Sequence, residues 1–146
     1  MSNNYNLFLD DYRNPRDCGY TGKLGFYVNT TWTIARSYVE FCKMIESKFE
    51  EDRVLPLVIS FDHDLADEHY APQHAWDNYD KWVEDKGGFK EKTGMDCARW
   101  LVDFCMDKGV KLPEFLVHSM NPSGAKNISG LLENFKKFQE NDNTGS

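Results

Sequence analysis

No window of the 146-residue sequence approaches the roughly 20 apolar residues that a membrane-spanning helix requires. The opening residues, Met1 to Tyr5, are polar and lack the basic-then-apolar pattern of a secretory leader. Basic residues are in deficit: 17 Lys and Arg face 24 Asp and Glu, for a formal charge of −7. Such a chain is poorly suited to wrapping duplex nucleic acid, which needs many cationic contacts to phosphate. A small phosphorylated ligand remains compatible, since it needs only one local group of donors. No CxxC spacing occurs among Cys18, Cys42, Cys97 and Cys105, so the four read as buried free thiols in a reducing compartment. Internal repeats and low-complexity tracts are also absent. The expectation is a soluble cytoplasmic protein with neither a membrane nor duplex nucleic acid as partner.

What is present is a series of short apolar runs alternating with helical periodicity. The length suits one domain, expected over residues 1–139, with a flexible polar tail at 140–146. Asn6 to Asp10 reads as a first buried strand and Phe26-Tyr27-Val28 as a short second one. Ile34, Ala35, Tyr38, Val39, Cys42, Ile45 and Phe49 recur at helical spacing behind the capping candidates Thr31 and Thr33. A strand is expected from Leu55 to Phe61, with Pro56 near its start, where a missing amide is tolerated. Residues 67–93 form a long aromatic-rich insertion, read as a lid, with a short helix over Asp77 to Lys86. A helix carrying Met95, Ala98, Leu101, Val102 and Cys105 stops at Gly109. A strand at Leu116 to His118 follows, then a helix carrying Ile128, Leu131, Leu132, Phe135 and Phe138. This alternation predicts a small three-layer α/β domain with a mainly parallel four-stranded sheet.

Three apolar runs end abruptly in ionisable residues. Leu7-Phe8-Leu9 leads into Asp10-Asp11, Val58-Ile59-Ser60-Phe61 into Asp62-His63-Asp64, and Phe115-Leu116-Val117 into His118-Ser119. In open α/β sheets ligands gather at the carboxyl ends of strands, so these residues are the candidate site. The carboxylates Asp10 and Asp11, with Asp62 and Asp64 nearby, suit a hard cation such as Mg2+; alternatively, Asp62 or Asp64 orients His63 as an acid or base. His118 is the second candidate acid or base, facing His63 across a phosphoryl centre. The run His118 to Asn127 joins a strand end to a helix start, where backbone amides and the helix dipole bind anions; Ser119, Asn121, Gly124 and Lys126 are the candidate phosphate contacts there. A plain capped turn with Ser123 or Asn121 as N-cap is the competing reading. Arg13 either forks onto a phosphate or pairs with Asp10 or Asp11. In the insertion, Trp76, Tyr79 and Trp82 are candidates for stacking on a base, against simple packing onto the body.

Four motifs in order carry a family resemblance: Leu7 to Pro15 (LFLDDYRNP), Ile59 to Leu65 (ISFDHDL), Thr93 to Asp96 (TGMD) and Val117 to Gly124 (VHSMNPSG). Together they resemble the cyclic-phosphate-processing receiver-like domains, from about Leu7 to about Leu132. The resemblance implies a reduced receiver-like sheet, a role on ribose cyclic phosphates, and active positions at Asp10, Asp11, Arg13, Asp62, His63, Asp64, His118, Ser119 and Asn121. Relative to ordinary response-regulator receivers, no final strand ending in Lys-Pro follows, so the phosphate-sensing lysine is missing unless Lys126 replaces it. Signalling through a phospho-aspartate is therefore not expected. The expected function is phosphoesterase-like opening of a cyclic phosphate on a nucleotide or RNA 2′,3′-cyclic phosphate end. Sequestration of a cyclic nucleotide without cleavage, or an adaptor role for the acidic surface, are the alternatives.

Overall fold

The alternation is realised as a parallel sheet flanked by helices in a computed structural model that describes residues 4–65, 81 and 92–144. Strands β1 (Leu7–Leu9), β2 (Thr33–Ala35), β3 (Val58–Phe61) and β4 (Glu114–Val117) lie in the order β2-β1-β3-β4, every neighbouring pair parallel. The helices are α1 (Leu24–Asn29), α2 (Tyr38–Asp52), α3 (Gly94–Lys108) and α4 (Pro122–Thr144). Two 3-10 turns, Pro15–Asp17 and Gly19–Thr21, precede α1.

Side chains alternate across a strand, and the two faces of this sheet are unequal. Leu7, Leu9, Ile59 and Phe61 join Phe41 and Ile45 of α2, Cys97 and Leu101 of α3, and Ile128 and Leu132 of α4 in the main core. Phe8 points the other way, into a smaller cluster with Cys18 and Tyr27, ringed by Trp32, Ile34 and Leu116. Each fully buried Leu, Ile or Phe contributes about 1.5–3 kcal/mol, so most of the stability lies on the face carrying α2, α3 and α4. All four cysteines are buried and free. Among the described residues no helix is long and apolar enough to cross a membrane.

Two elements differ from the sequence-based expectation. Phe26-Tyr27-Val28 belongs to helix α1, not to a strand; only Tyr27 of α1 is buried, and Phe26 and Val28 are exposed. The second strand is instead Thr33–Ala35, inside the segment expected to open a helix. That helix, α2, begins at Tyr38 behind Ser37, whose side chain accepts the Glu40 amide, so Thr31 and Thr33 are not its caps. Helix α3 has a full capping box between Thr93 and Asp96 and ends at Gly109, which sits in the left-handed region at φ 66°. Helix α4 runs from Pro122 to Thr144. The 67–91 part of the aromatic insertion, with its expected helix over 77–86 and with Trp76, Tyr79 and Trp82, lies outside the described residues apart from Lys81.

Candidate active site

The pairing register decides what meets at the sheet edge. Ala35, Leu9, Phe61 and Val117 are aligned across the four strands, so the residues that follow them, Arg36, Asp10, Asp62 and His118, form a row. The ladder extends one step further and fixes that row: the amides of Asp10, Asp62 and His118 donate to the carbonyls of Ala35, Leu9 and Phe61 at 3.1, 3.0 and 2.9 Å.

Asp10 is completely buried and heavily paired. Its Oδ1 accepts the amides of Tyr12 (3.0 Å) and Arg13 (2.8 Å), while Oδ2 lies 3.0 Å from His118 Nε2 and 3.6 Å from the Arg13 guanidinium. Burial pushes its pKa upward, but the bonds from His118 and from the Arg13 and Tyr12 amides outweigh it and hold the carboxyl below its ordinary value. His118 is 1 % exposed, stacked on the Phe8 ring at 4.4 Å, with Nδ1 2.7 Å from Ser60 Oγ. Burial lowers its pKa against the pull of Asp10, which leaves a neutral imidazole beside an ionised carboxylate.

Asp62, one strand over, is equally buried and poorly paired. Its Oδ1 accepts the His63 amide at 2.9 Å, and its Oδ2 is a buried oxygen with no hydrogen-bond partner among the described residues. Burial, reinforced by Asp10 and Asp64 nearby, pushes this carboxyl up to about 8. Asp62 is therefore protonated at neutral pH while Asp10 is charged. His63 Nδ1 lies 2.9 Å from Asp64 Oδ1, which Asn121 Nδ2 also reaches at 3.4 Å.

Two glycines make room for this arrangement. A Cβ on Gly124 would fall 2.4 Å from His63 Cγ, and one on Gly94 only 1.8 Å from the Asp62 carbonyl oxygen. The Gly94 amide also donates to the His63 carbonyl at 2.7 Å.

The candidate phosphate contacts divide. Arg13 lies over the site with its side chain 11 % exposed, Nη2 2.9 Å from Met120 Sδ and its guanidinium 5.0 and 5.4 Å from the rings of Tyr12 and Tyr20. Ser119 is half-buried and accepts the Asn121 amide at 3.0 Å. Asn121 is the N-cap of α4: its Oδ1 and its backbone carbonyl accept the Gly124 and Ala125 amides at 3.0 and 2.9 Å. Those two amides are thus committed to the cap, and Gly124 serves the site as space for His63 rather than as an anion donor. Lys126 is exposed on α4, outside these contacts, and Asp11 is half-buried beside Asp10.

The two histidines are held differently. His63 is held by Asp64, whereas both ring nitrogens of His118 are engaged beneath Asp10. Residues not anticipated from sequence complete the site: Tyr27, whose hydroxyl lies 2.7 Å from Ser60 Oγ, and Arg36, which donates to the carbonyls of Asp10 (3.3 Å) and Arg13 (2.6 Å) and to Asn14 Oδ1 (2.7 Å). Ser60 offered a signal, being a hydroxyl within an apolar strand; Tyr27 and Arg36 offered none.

A metal was anticipated on Asp10 and Asp11. The structure instead gathers Asp10, Asp62 and His118, whose ligand atoms all lie within 4.8 Å of one another. Two carboxylates and an imidazole, one carboxylate oxygen being otherwise unpaired, are compatible with a divalent cation.

A four-stranded parallel sheet with buried acids at its strand ends and helices on both faces defines a receiver-like domain. The chain belongs to the cyclic-phosphate processing Receiver domain family, whose model matches residues 5–134. No curated protein and no solved structure matches it.

Proposed function

We propose that the protein hydrolyses a cyclic phosphate on a nucleotide or RNA end. Beyond the family itself, one observation carries this reading: of two neighbouring buried carboxyls one is ringed by donors and the other keeps an oxygen unpaired among the described residues, beside a carboxylate-paired histidine. Ring opening of a cyclic phosphodiester needs a base for the attacking water and an acid for the departing ribose oxygen, and groups whose environments push their pKa values apart supply such pairs. His63, oriented through Nδ1 by Asp64, takes the proton from water. Asp62, kept neutral by burial, gives its proton to the leaving oxygen. Arg13 and Ser119 bind the phosphate oxygens, the guanidinium by a forked contact. Asp10 stays ionised and, with His118 behind it, keeps the proton on Asp62.

The unpaired Asp62 Oδ2 favours a second arrangement of the same site. Asp10, Asp62 and His118, its Nε2 giving up the proton it otherwise donates to Asp10, would hold a divalent cation, magnesium for its preference for oxygen or manganese for its tolerance of imidazole. When bound, it would supply positive charge to the phosphate oxygens.

Incubation with 2′,3′-cyclic mononucleotides and with RNA bearing a cyclic-phosphate end, followed by 31P NMR, tests the reading. Conversion to a phosphomonoester is expected, with His63→Ala lowering kcat by about 10²–10⁴-fold. Tight binding with the ligand recovered intact would replace hydrolysis by sequestration. Turnover unaltered by His63→Ala would remove the proposed base. Loss of turnover in a chelator, restored by magnesium or manganese, would select the cation-bound arrangement.

A further inference from the structure

Four polar groups within the body form one uninterrupted chain. The Tyr27 hydroxyl, the Ser60 hydroxyl, the His118 imidazole and the Asp10 carboxylate follow one another at 2.7, 2.7 and 3.0 Å. None is more than 1 % exposed, and they arrive from α1, from the middle of β3 and from the ends of β4 and β1. A buried polar group left unpaired costs about 1–3 kcal/mol, so a core that needed only packing would sooner hold apolar residues here. The surroundings are apolar and restrictive: Phe8 stacks on His118 with 9° between the planes, and Tyr27 meets the same imidazole edge-on at 6.2 Å.

The direction of each bond follows from Asp10. Its other neighbours, the amides of Tyr12 and Arg13 and the Arg13 guanidinium, are all donors, so the carboxylate is placed to accept, and His118 Nε2 carries the proton it receives. In a neutral imidazole the other nitrogen is then an acceptor. Ser60 must donate to Nδ1, and Tyr27 in turn must donate to Ser60. Every donor and acceptor along the chain finds its complement.

We propose that Tyr27 and Ser60 are positioning residues: by donating in sequence to Nδ1 they anchor the His118 ring from behind, in the orientation in which Nε2–H meets Asp10, and thereby fix the Asp10 carboxylate at the strand-end site. Removing the Ser60 hydroxyl leaves Nδ1 without a donor and the imidazole anchored at Nε2 alone. Removing the Tyr27 hydroxyl leaves Ser60 free to turn. In both cases Asp10 loses a fixed donor without any change in the residues that meet the substrate.

The tautomer itself can be read independently of the proposed hydrolysis, on which only the turnover measurement rests. In the 15N-labelled full chain, long-range 1H–15N correlation should show the His118 ring neutral, with its proton on Nε2. Ser60→Ala should move the Nδ1 resonance toward that of an unbonded acceptor. Tyr27→Phe, which keeps the aromatic packing, should move it the same way by less. A wild-type ring protonated on Nδ1, a mixture of tautomers, or an Nδ1 resonance unaltered by Ser60→Ala would overturn the proposal. On a cyclic mononucleotide, each variant should lower kcat by roughly 10–100-fold at nearly constant KM, the usual effect of losing an outer hydrogen-bond partner. Unchanged kcat in both folded variants would also overturn it. Absence of turnover in the wild type would count against hydrolysis alone, and the His118 tautomer would then decide the proposal by itself.

Discussion

Asp10 and Asp62 leave adjacent strands at the same level, one residue beyond the aligned pair Leu9 and Phe61, and both are buried. Asp10 enters a nest of donors from Tyr12, Arg13 and His118, and its charge is stabilised. Asp62 enters the shadow of two other carboxylates with one oxygen unpaired, and its charge is suppressed until about pH 8. Equal burial thus yields opposite chemistry. Burial raises the cost of charge for both; the pattern of donors decides which one keeps it.

This contrast can be broken most forcefully at Asp10. Asp10→Ala leaves His118 Nε2–H and two loop amides without their acceptor and should destabilise the fold by about 3–5 kcal/mol, read from urea unfolding. A loss below about 1 kcal/mol would mean that the donors are satisfied elsewhere and that the contrast is unfounded. Next in size is Gly124→Ala, whose methyl would meet the His63 ring at 2.4 Å. Overpacking of this kind costs about 1–3 kcal/mol, and displaced His63 signals in NMR spectra should accompany it.

Asp62→Asn should act in the opposite sense. The folded-state pKa of Asp62 lies above its unfolded value of 3.8, so its stabilising contribution is complete below about pH 4 and is lost as pH rises through about 8. The neutral amide escapes that loss. The variant should therefore be more stable than the wild type at pH 8.5, with the gain shrinking toward zero near pH 4. A pH-independent difference in melting temperature would show that Asp62 is not the carboxyl that titrates there. The smallest effect is expected from Asn121→Ala, which removes the α4 cap and a long contact to Asp64; about 1 kcal/mol should be lost, in line with other N-caps, measured by thermal unfolding.

The apolar runs before Asp10, Asp62 and His118 made three of the four strands, and the strand-end cluster, legible in the sequence, because a buried parallel strand needs continuous hydrophobicity. The second strand was hidden for the complementary reason. It is a three-residue edge strand with only Ala35 fully buried, and Ile34 and Ala35 stand four and three residues before Tyr38, so they extend the helical periodicity of α2 across the break at Ser37. Tyr27 was misread because aromatic and β-branched neighbours suggest a strand, yet Phe26 and Val28 are exposed on a short helix. At the site, the residue types were readable but their pairings were not. Whether His118 turns toward His63 or toward Ser60 depends on which face of β3 the serine occupies and on Tyr27 arriving from 33 positions away. The TGMD motif did mark the start of α3, and its glycine has a local cause in the Asp62 carbonyl that it abuts.

That abutment bears on how the domain tolerates change. The His63 carbonyl and the Gly94 amide are hydrogen-bonded at 2.7 Å, so the chain departing after His63 comes back to its starting point, and the two ends are clasped by the body of the fold. Whatever lies between them is, topologically, a closed excursion. Its closure entropy grows only with the logarithm of its length, about 0.6 kcal/mol for each doubling. Changes of length between the two anchored ends should therefore cost the fold little, and the strand-end row can keep its geometry while they occur.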